Sequence, residues 1–342
     1  MAQFLESSLL RGSFNGGILV AKNGVIVYEN YKGFRDFRTK DSLLAETPLQ
    51  IASTSKTFTG VAIMRLAQEG KLRLDAPLQE FFPGFPYPDV NVQLLLNHRS
   101  GLPNYLYFLE EELRKKKVYI TNTDVLNALL TQQPPRAFRP NTRFQYCNTN
   151  YVLLALILEK VTGQTYPEYM KDTYFEPLGM SHTYVFTMAD TARSVMSFNA
   201  GGGLWPMDYF EGTYGDKNIF STPRDLLKWD QALYSGELLN QQMLDSAFTP
   251  YSNERPSEHN YGLGWRLLNL PNGKKAIYHN GRWHGFNAAF GRLTEERATV
   301  IILGNRFNSS IYQTARKLYN FFGPYGRDGS ATLEEGGQGP KE

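Results

Sequence analysis

The chain opens on two apolar, β-rich runs, Gly17 to Lys22 and Val25 to Tyr28, separated only by Asn23-Gly24. Asn-Gly supplies the two positive-φ positions of a turn that matches strand twist, so this pattern predicts a β-hairpin. Leu5 to Leu10, just before it, predicts a short helix. The period then changes. Phe58, Val61, Ala62 and Leu66 recur at helical spacing within Thr54 to Glu69, and Gly70 fits the C-cap. This predicts a helix buried on one side against a sheet. From Leu74 to about Pro250 strand signals thin out. Helical runs appear at Asp124 to Thr131, Tyr151 to Val161 and Arg224 to Leu233, with loops rich in Pro, Asn, Gly and Tyr between them. Strand-like runs return at Gly262 to Leu268, Lys275 to His279, Asn287 to Arg292 and Thr299 to Leu303. Ile311 to Phe322 predicts a closing helix.

Strands at both ends with helices between predict an α+β body interrupted by a helical insertion. The expected division is a sheet domain from residues 1–74 and 255–326, a mostly helical region over 75–254, and a disordered Gly- and Glu-rich tail over 327–342. No internal repeat of solenoid type is present.

Composition narrows the classes. The chain has 342 residues, 42% hydrophobic and 20% charged, which predicts a packed globular protein. A net charge of +3 gives no reason to expect nucleic acid or an anionic membrane as partner. Cys147 is the only cysteine, which excludes an intramolecular disulfide and leaves the redox compartment open. No apolar run is long enough to span a bilayer. Met1 to Gly12 lacks the basic and apolar regions of a signal peptide, so the chain reads as soluble. It would be cytoplasmic, unless a removed leader sends it to the periplasm or outside.

Candidate chemistry begins at Ser53-Thr54-Ser55-Lys56. A serine and a lysine three residues apart share one helical face, about one turn apart. A serine hydroxyl needs a partner to take its proton, and an amine does so once desolvation or other cations lower its pKa. Alone, the pattern reads as an N-cap serine and a solvated lysine. Context changes that reading. Tyr146-Cys147-Asn148 and His279-Asn280-Gly281 follow in order, and Ser-x-x-Lys is known with two such later partners.

With these three motifs the chain resembles the serine hydrolases of the class C β-lactamase and D-Ala-D-Ala peptidase group. Leu94 to Pro103 is similar to that family's LLxHxSGLP run, Phe138 to Phe144 to its F-x-P-G-x-x-F lead-in, and Phe220 to Leu226 to its xSTxxDL segment. The likeness runs from about Gly16 to about Asn305. It implies a β-lactamase/transpeptidase-like fold: an antiparallel sheet flanked by helices, a mostly helical second region, and a site in the cleft between.

The resemblance also implies roles. Ser53 would be the nucleophile of an acyl-enzyme. Lys56 and Tyr146 would handle its proton as a coupled pair, either of them the base. Asn148 would bind the substrate amide and brace the lysine. His279 stands where β-lactamases most often have lysine followed by Thr-Gly, and it holds a carboxylate less reliably. Gly281 would let substrate backbone approach the strand. The backbone N–H groups of Arg282 and Ser53 would form the oxyanion hole, and the Arg282 guanidinium is a candidate carboxylate anchor.

Cys147 reads as a small apolar filler rather than a nucleophile. His98 with Ser100 does not make a Ser-His-Asp triad, because no Gly-x-Ser-x-Gly elbow is present. Gly201-Gly202-Gly203 reads as a flexible turn near the cleft. No metal or cofactor is expected. The expected partner is a small-molecule or peptide substrate, with peptidoglycan fragments among the candidates. The expected activity is hydrolysis of D-amino-acid peptides, esters or β-lactams, with peptidase- or esterase-like chemistry favoured over efficient β-lactam hydrolysis. The alternative is a catalytically weak penicillin-binding or cell-wall-fragment-sensing protein on the same scaffold.

Overall fold

The computed structural model describes residues 1–109 and 119–326. The tail expected from Arg327 onward lies outside the described residues.

The predicted hairpin forms. Strands β1 (Gly16–Lys22) and β2 (Val25–Lys32) pair antiparallel across Asn23-Gly24, whose φ values are 53° and 75°. The two ends of the chain then build one sheet. Two short antiparallel pairs lie outside it: β3 (Phe34–Asp36) with β4 (Asp41–Ser42), and β7 (Ser197–Phe198) with β8 (Leu204–Trp205). A three-stranded patch joins β5 (Leu49–Gln50), β9 (Ile219–Ser221) and β6 (Tyr184–Val185). The main sheet adds β10 (His259–Tyr261), β11 (Arg266–Asn269), β12 (Lys275–Trp283), β13 (Phe286–Leu293) and β14 (Ala298–Gly304). Its order is β10-β11-β12-β13-β14-β1-β2, antiparallel throughout.

Alternating side chains put a different layer on each face. Ile18, Val20, Val300 and Ile302 meet the N-terminal Leu5 and Leu9 and the C-terminal helix Ser310–Leu318. Leu19, Ile301, Leu303 and Phe290 face the helical region, where the helices Ser55–Gln68 and Asn148–Thr162 cross beneath the sheet.

Two expectations are corrected here. The run Gly262 to Leu268 is not one strand. Gly262 to Trp265 is instead a tight turn between β10 and β11, where Gly264 has φ +89° and a side chain would be strained, and only Arg266 to Leu268 is strand. The helix after Ser53 is not buried on one side only. Every residue from Ser55 to Met64 is buried, because β-sheet, the Asn148–Thr162 helix and the Trp229 side chain enclose it.

Candidate active site

Ser53 sits in a single 3₁₀ turn, Ala52–Thr54, that leads into the Ser55–Gln68 helix. Three contacts hold this turn. Ile51 N–H donates to the Ile219 carbonyl at 2.9 Å, Ile219 N–H donates to Ser55 Oγ at 3.1 Å, and Thr54 Oγ1 donates to the His279 carbonyl at 3.4 Å. Ala52 is held at φ +47°, a conformation costly for a residue with a side chain. The turn thereby sets Ser53 at the positive end of a helix.

Lys56 is wholly buried, with Nζ 3.3 Å from Ser53 Oγ and 2.6 Å from the Asp216 carbonyl oxygen it donates to. Its amine lies 4.9 Å from the Tyr146 ring and 5.6 Å from the Tyr151 ring. Burial pulls its pKa down to about 7; the Asp216 carboxylate opposes that shift, and the Arg266 guanidinium adds to it. Burial pushes the Tyr146 phenol the other way, well above its ordinary range, while Arg266 and then Ser53 favour its ionised form. The Tyr146 hydroxyl oxygen is buried without an aligned hydrogen-bond partner among the described residues.

Behind Tyr146 stands a stack of rings. His98 lies 4.3 Å from Tyr146 and 4.8 Å from Tyr261, centroid to centroid. Its Nδ1 accepts the Cys147 N–H at 3.2 Å, and its backbone sits at φ +57°. Ser100 is turned to Asn150 instead, at 2.7 Å. The Cys147 thiol donates to the Leu102 carbonyl at 3.4 Å, and burial raises its pKa to about 11, so it is inert filler.

His279 is placed in the same wall and is fully covered. Its Nδ1 contacts the Asn280 carbonyl at 2.7 Å, which makes Nδ1 the protonated nitrogen. Nε2 then accepts from Tyr261 Oη at 3.1 Å. Burial, with Arg266 and Lys56 nearby, drives its pKa well below the usual value, so the ring is neutral. No cation stands at this strand position.

Gly281 comes against the turn that carries Ser53. A Cβ there would lie 2.2 Å from the Ile51 carbonyl oxygen and 3.0 Å from Ser53 N, so the glycine admits the nucleophile turn itself. Arg282 follows it, but its side chain is on the opposite face of β12, exposed and 4.6 Å from the Phe307 ring. That placement removes the guanidinium as a carboxylate anchor within the site. Strand β11 pairs with β12 only from Lys275 to Tyr278, and beyond that point the nucleophile turn packs against β12 at Gly281. Asn148 begins the Asn148–Thr162 helix and lines, with Tyr146, a cleft of about 450 Å³ walled by Leu102, Pro103, Tyr107 and Phe108. The three predicted segments thus converge on one hydroxyl.

Residues 3–320 match the beta-lactamase family. The chain belongs to the beta-lactamase family. It is 31% identical to a penicillin-binding protein of Bacillus subtilis (strain 168) over 88% of this chain and 70% of that protein. It superposes on a penicillin-binding protein from Bacillus halodurans with a TM-score of 0.82 at 25% identity, covering 94% of this chain and 98% of the other. An octameric penicillin-binding protein homologue from Pyrococcus abyssi gives a TM-score of 0.80 at 27% identity, over 94% and 77%. In general terms, this beta-lactamase-family chain is a serine hydrolase, and its antiparallel sheet with a helical region is that family's fold.

Sequence reading missed three members of this beta-lactamase-family site. Arg266 acts on Lys56, Tyr146, His98 and His279 together. Asp216 receives the lysine, and Tyr261 holds His279. None lies within a recognisable motif; the local signal at Asp216 is only a charged pair, Asp216-Lys217, preceded by Gly212 and Gly215. Among the described residues, Asp208, Glu211 and His284 are the group close enough to hold a metal ion. His284 Nε2 is 3.3 Å from a carboxylate oxygen of each. Burial works against its charge, yet the two carboxylates outweigh that and lift its pKa to about 9, which favours the imidazolium. No described helix is long and apolar enough to cross a membrane.

Proposed function

We propose that this beta-lactamase-family chain is a peptidase- or esterase-like hydrolase that works through an acyl-enzyme on Ser53. The substrates are D-amino-acid peptides and esters, with β-lactams attacked less efficiently. One observation carries the reading: Lys56 Nζ is 3.3 Å from Ser53 Oγ and is buried deeply enough that its pKa is about 7. A large fraction of the amine is therefore neutral at neutral pH and ready to accept a proton, while Tyr146 remains a phenol. This division favours Lys56 as the base and Tyr146 as the proton donor.

In the proposed acylation, Ser53 Oγ bonds to the substrate carbonyl carbon as its proton passes to Lys56. The carbonyl electrons move onto oxygen, which the Ser53 and Arg282 N–H groups receive. Collapse breaks the bond to the leaving group, which takes the Tyr146 proton, and Lys56 reprotonates Tyr146. Water then attacks the acyl-enzyme with its proton going to Lys56, and collapse breaks the bond from Ser53 Oγ to the acyl carbon as Lys56 returns that proton to Oγ, releasing the acid and restoring both the Ser53 hydroxyl and the neutral amine. Beyond Tyr278 the backbone of β12 is not paired with β11 and runs beside Ser53, where extended substrate backbone would lie along it. The neutral His279 supports the preference against β-lactams, whose carboxylate finds no charge there.

The test is labelling and turnover with a nitrophenyl ester and a fluorescent penicillin. Ester turnover with mass spectrometric capture of the acyl group on Ser53, slow release of the penicillin label, and loss of all three in Ser53→Ala are expected. Ester turnover at the unmodified rate in Ser53→Ala would overturn the proposal.

A further inference from the structure

Asp216 is buried in the segment between the Tyr209–Gly212 turn and β9. Its backbone carbonyl accepts the Lys56 amine at 2.6 Å. The segment is fixed beside the nucleophile helix, where Thr59 Oγ1 donates to the Gly215 carbonyl at 2.7 Å. The carboxylate is held from the far side. Oδ2 accepts from Tyr105 Oη at 2.9 Å and lies 3.7 Å from Lys217 Nζ. Lys217, also buried, donates to Tyr105 Oη at 2.7 Å and to Thr213 Oγ1. Oδ1 is buried with no hydrogen-bond partner among the described residues. A buried carboxylate oxygen without a donor is costly unless positive charge nearby compensates it.

The groups that act on Lys56 are few. Tyr146, Tyr151, His98, His279 and Cys147 are neutral, since burial moves each away from its charged form. Arg266 adds positive charge and Asp216 negative charge. We infer that Asp216 is a positioning residue: its carbonyl holds the Lys56 amine beside Ser53, and its carboxylate, braced by Tyr105 and Lys217, sets the pH at which that amine gives up its proton. The inference rests on Lys56 being the base. Asp216 itself touches no reacting atom; it acts through Lys56.

The test is the pH dependence of kcat/KM for a nitrophenyl ester, in the unmodified chain and in two variants. Asp216→Asn keeps the backbone carbonyl and the side-chain shape and removes the charge. It also leaves the buried Lys217 ammonium unpaired, so the double variant Asp216→Asn/Lys217→Met is measured beside it. The unmodified chain is expected to gain activity through an acid limb with its midpoint near 7, set by Lys56. Asp216→Asn should move that midpoint down by about one unit or more, because an opposite charge that favoured the ammonium is gone, and the double variant should move it the same way by less, since the Lys217 cation leaves with it. Activity of Asp216→Asn at about pH 6, relative to its own plateau, then rises severalfold. Loss of activity at every pH with the midpoint unmoved would overturn the inference and leave Asp216 a purely structural part. An unmodified profile with no acid limb near neutrality would instead overturn Lys56 as the base, and this inference with it.

Discussion

A Cβ on Gly281 would lie 2.2 Å from the carbonyl oxygen of Ile51, the residue that leads into the nucleophile turn. Strand β12 and that turn therefore meet backbone to backbone, and neither partner is a flexible side-chain end that could yield. Gly281→Ala should displace Ser53 from its place against β12. Since misplacement by about 1 Å can cost about 10²-fold, kcat/KM on an ester should fall by that order. A smaller loss of thermal stability should accompany it. Unchanged kinetics would show that the close approach is not what the position requires.

Tyr146→Phe separates chemistry from stability. The hydroxyl oxygen is buried without an aligned partner, so its removal leaves no donor or acceptor stranded. The melting temperature should stay level or rise. If the phenol is the proton donor, kcat/KM should fall by roughly 10²- to 10⁴-fold. A variant that melts early but turns over normally would invert both expectations.

Three histidines give stability two opposed pH arms. His98 and His279 are buried and neutral, with pKa values depressed well below the ordinary one. The unfolded chain takes up their protons below about pH 6.5, so their contribution is complete above that pH and is lost on acidification, by up to about 1.4 kcal/mol per pH unit for each. His284, raised to about 9 by Asp208 and Glu211, behaves oppositely. Its contribution is complete below about pH 6.5 and disappears as pH rises through 9. Thermal melts from acid to alkaline pH should show a maximum between these arms. His284→Gln should flatten the alkaline arm and spare the acid one; an unchanged alkaline arm would remove the triad as its cause.

Asp230 links helix to sheet away from Ser53. Arg292 on β13 donates to one carboxylate oxygen, and Thr299 Oγ1 on β14 donates to the other at 2.5 Å. Both ion-pair partners are essentially unexposed. Asp230→Ala strands a buried guanidinium and should cost about 3–5 kcal/mol. Denaturant midpoints should register the loss, with ester kcat/KM of the folded fraction little changed. A cost below about 1 kcal/mol would mean that the site is wetter or more adaptable than its packing indicates.

Much of the scaffold is legible because its signals are local. The helical run at Arg224 to Leu233 is one such signal: the structure has the helix Pro223–Ser235, with Thr222 Oγ1 accepting the Asp225 N–H at 3.1 Å and proline in the first turn. The Phe138 to Phe144 segment serves Arg99, whose Nε donates to Asn141 Oδ1 at 2.9 Å. Arg266, Asp216 and Tyr261 were invisible for the converse reason. Asp216 reaches Lys56 across 160 positions, and no spacing rule links residues that far apart. The residues Gly262 to Trp265 carry the apolar signature of a strand, yet they form a turn, and the positive φ of Gly264 marks it.

By itself, the sequence determined the α+β plan, the order of strands and helices, and which side chains are able to attack or to carry a proton, since periodicity and functional groups are written in residue types. The tertiary structure decided which of those groups are charged. Lys56 comes down to about 7, Tyr146 stays a phenol and His279 stays neutral because each is stripped of water by segments distant in the chain. Desolvation belongs to the packed environment, and the same residue in another environment would titrate differently.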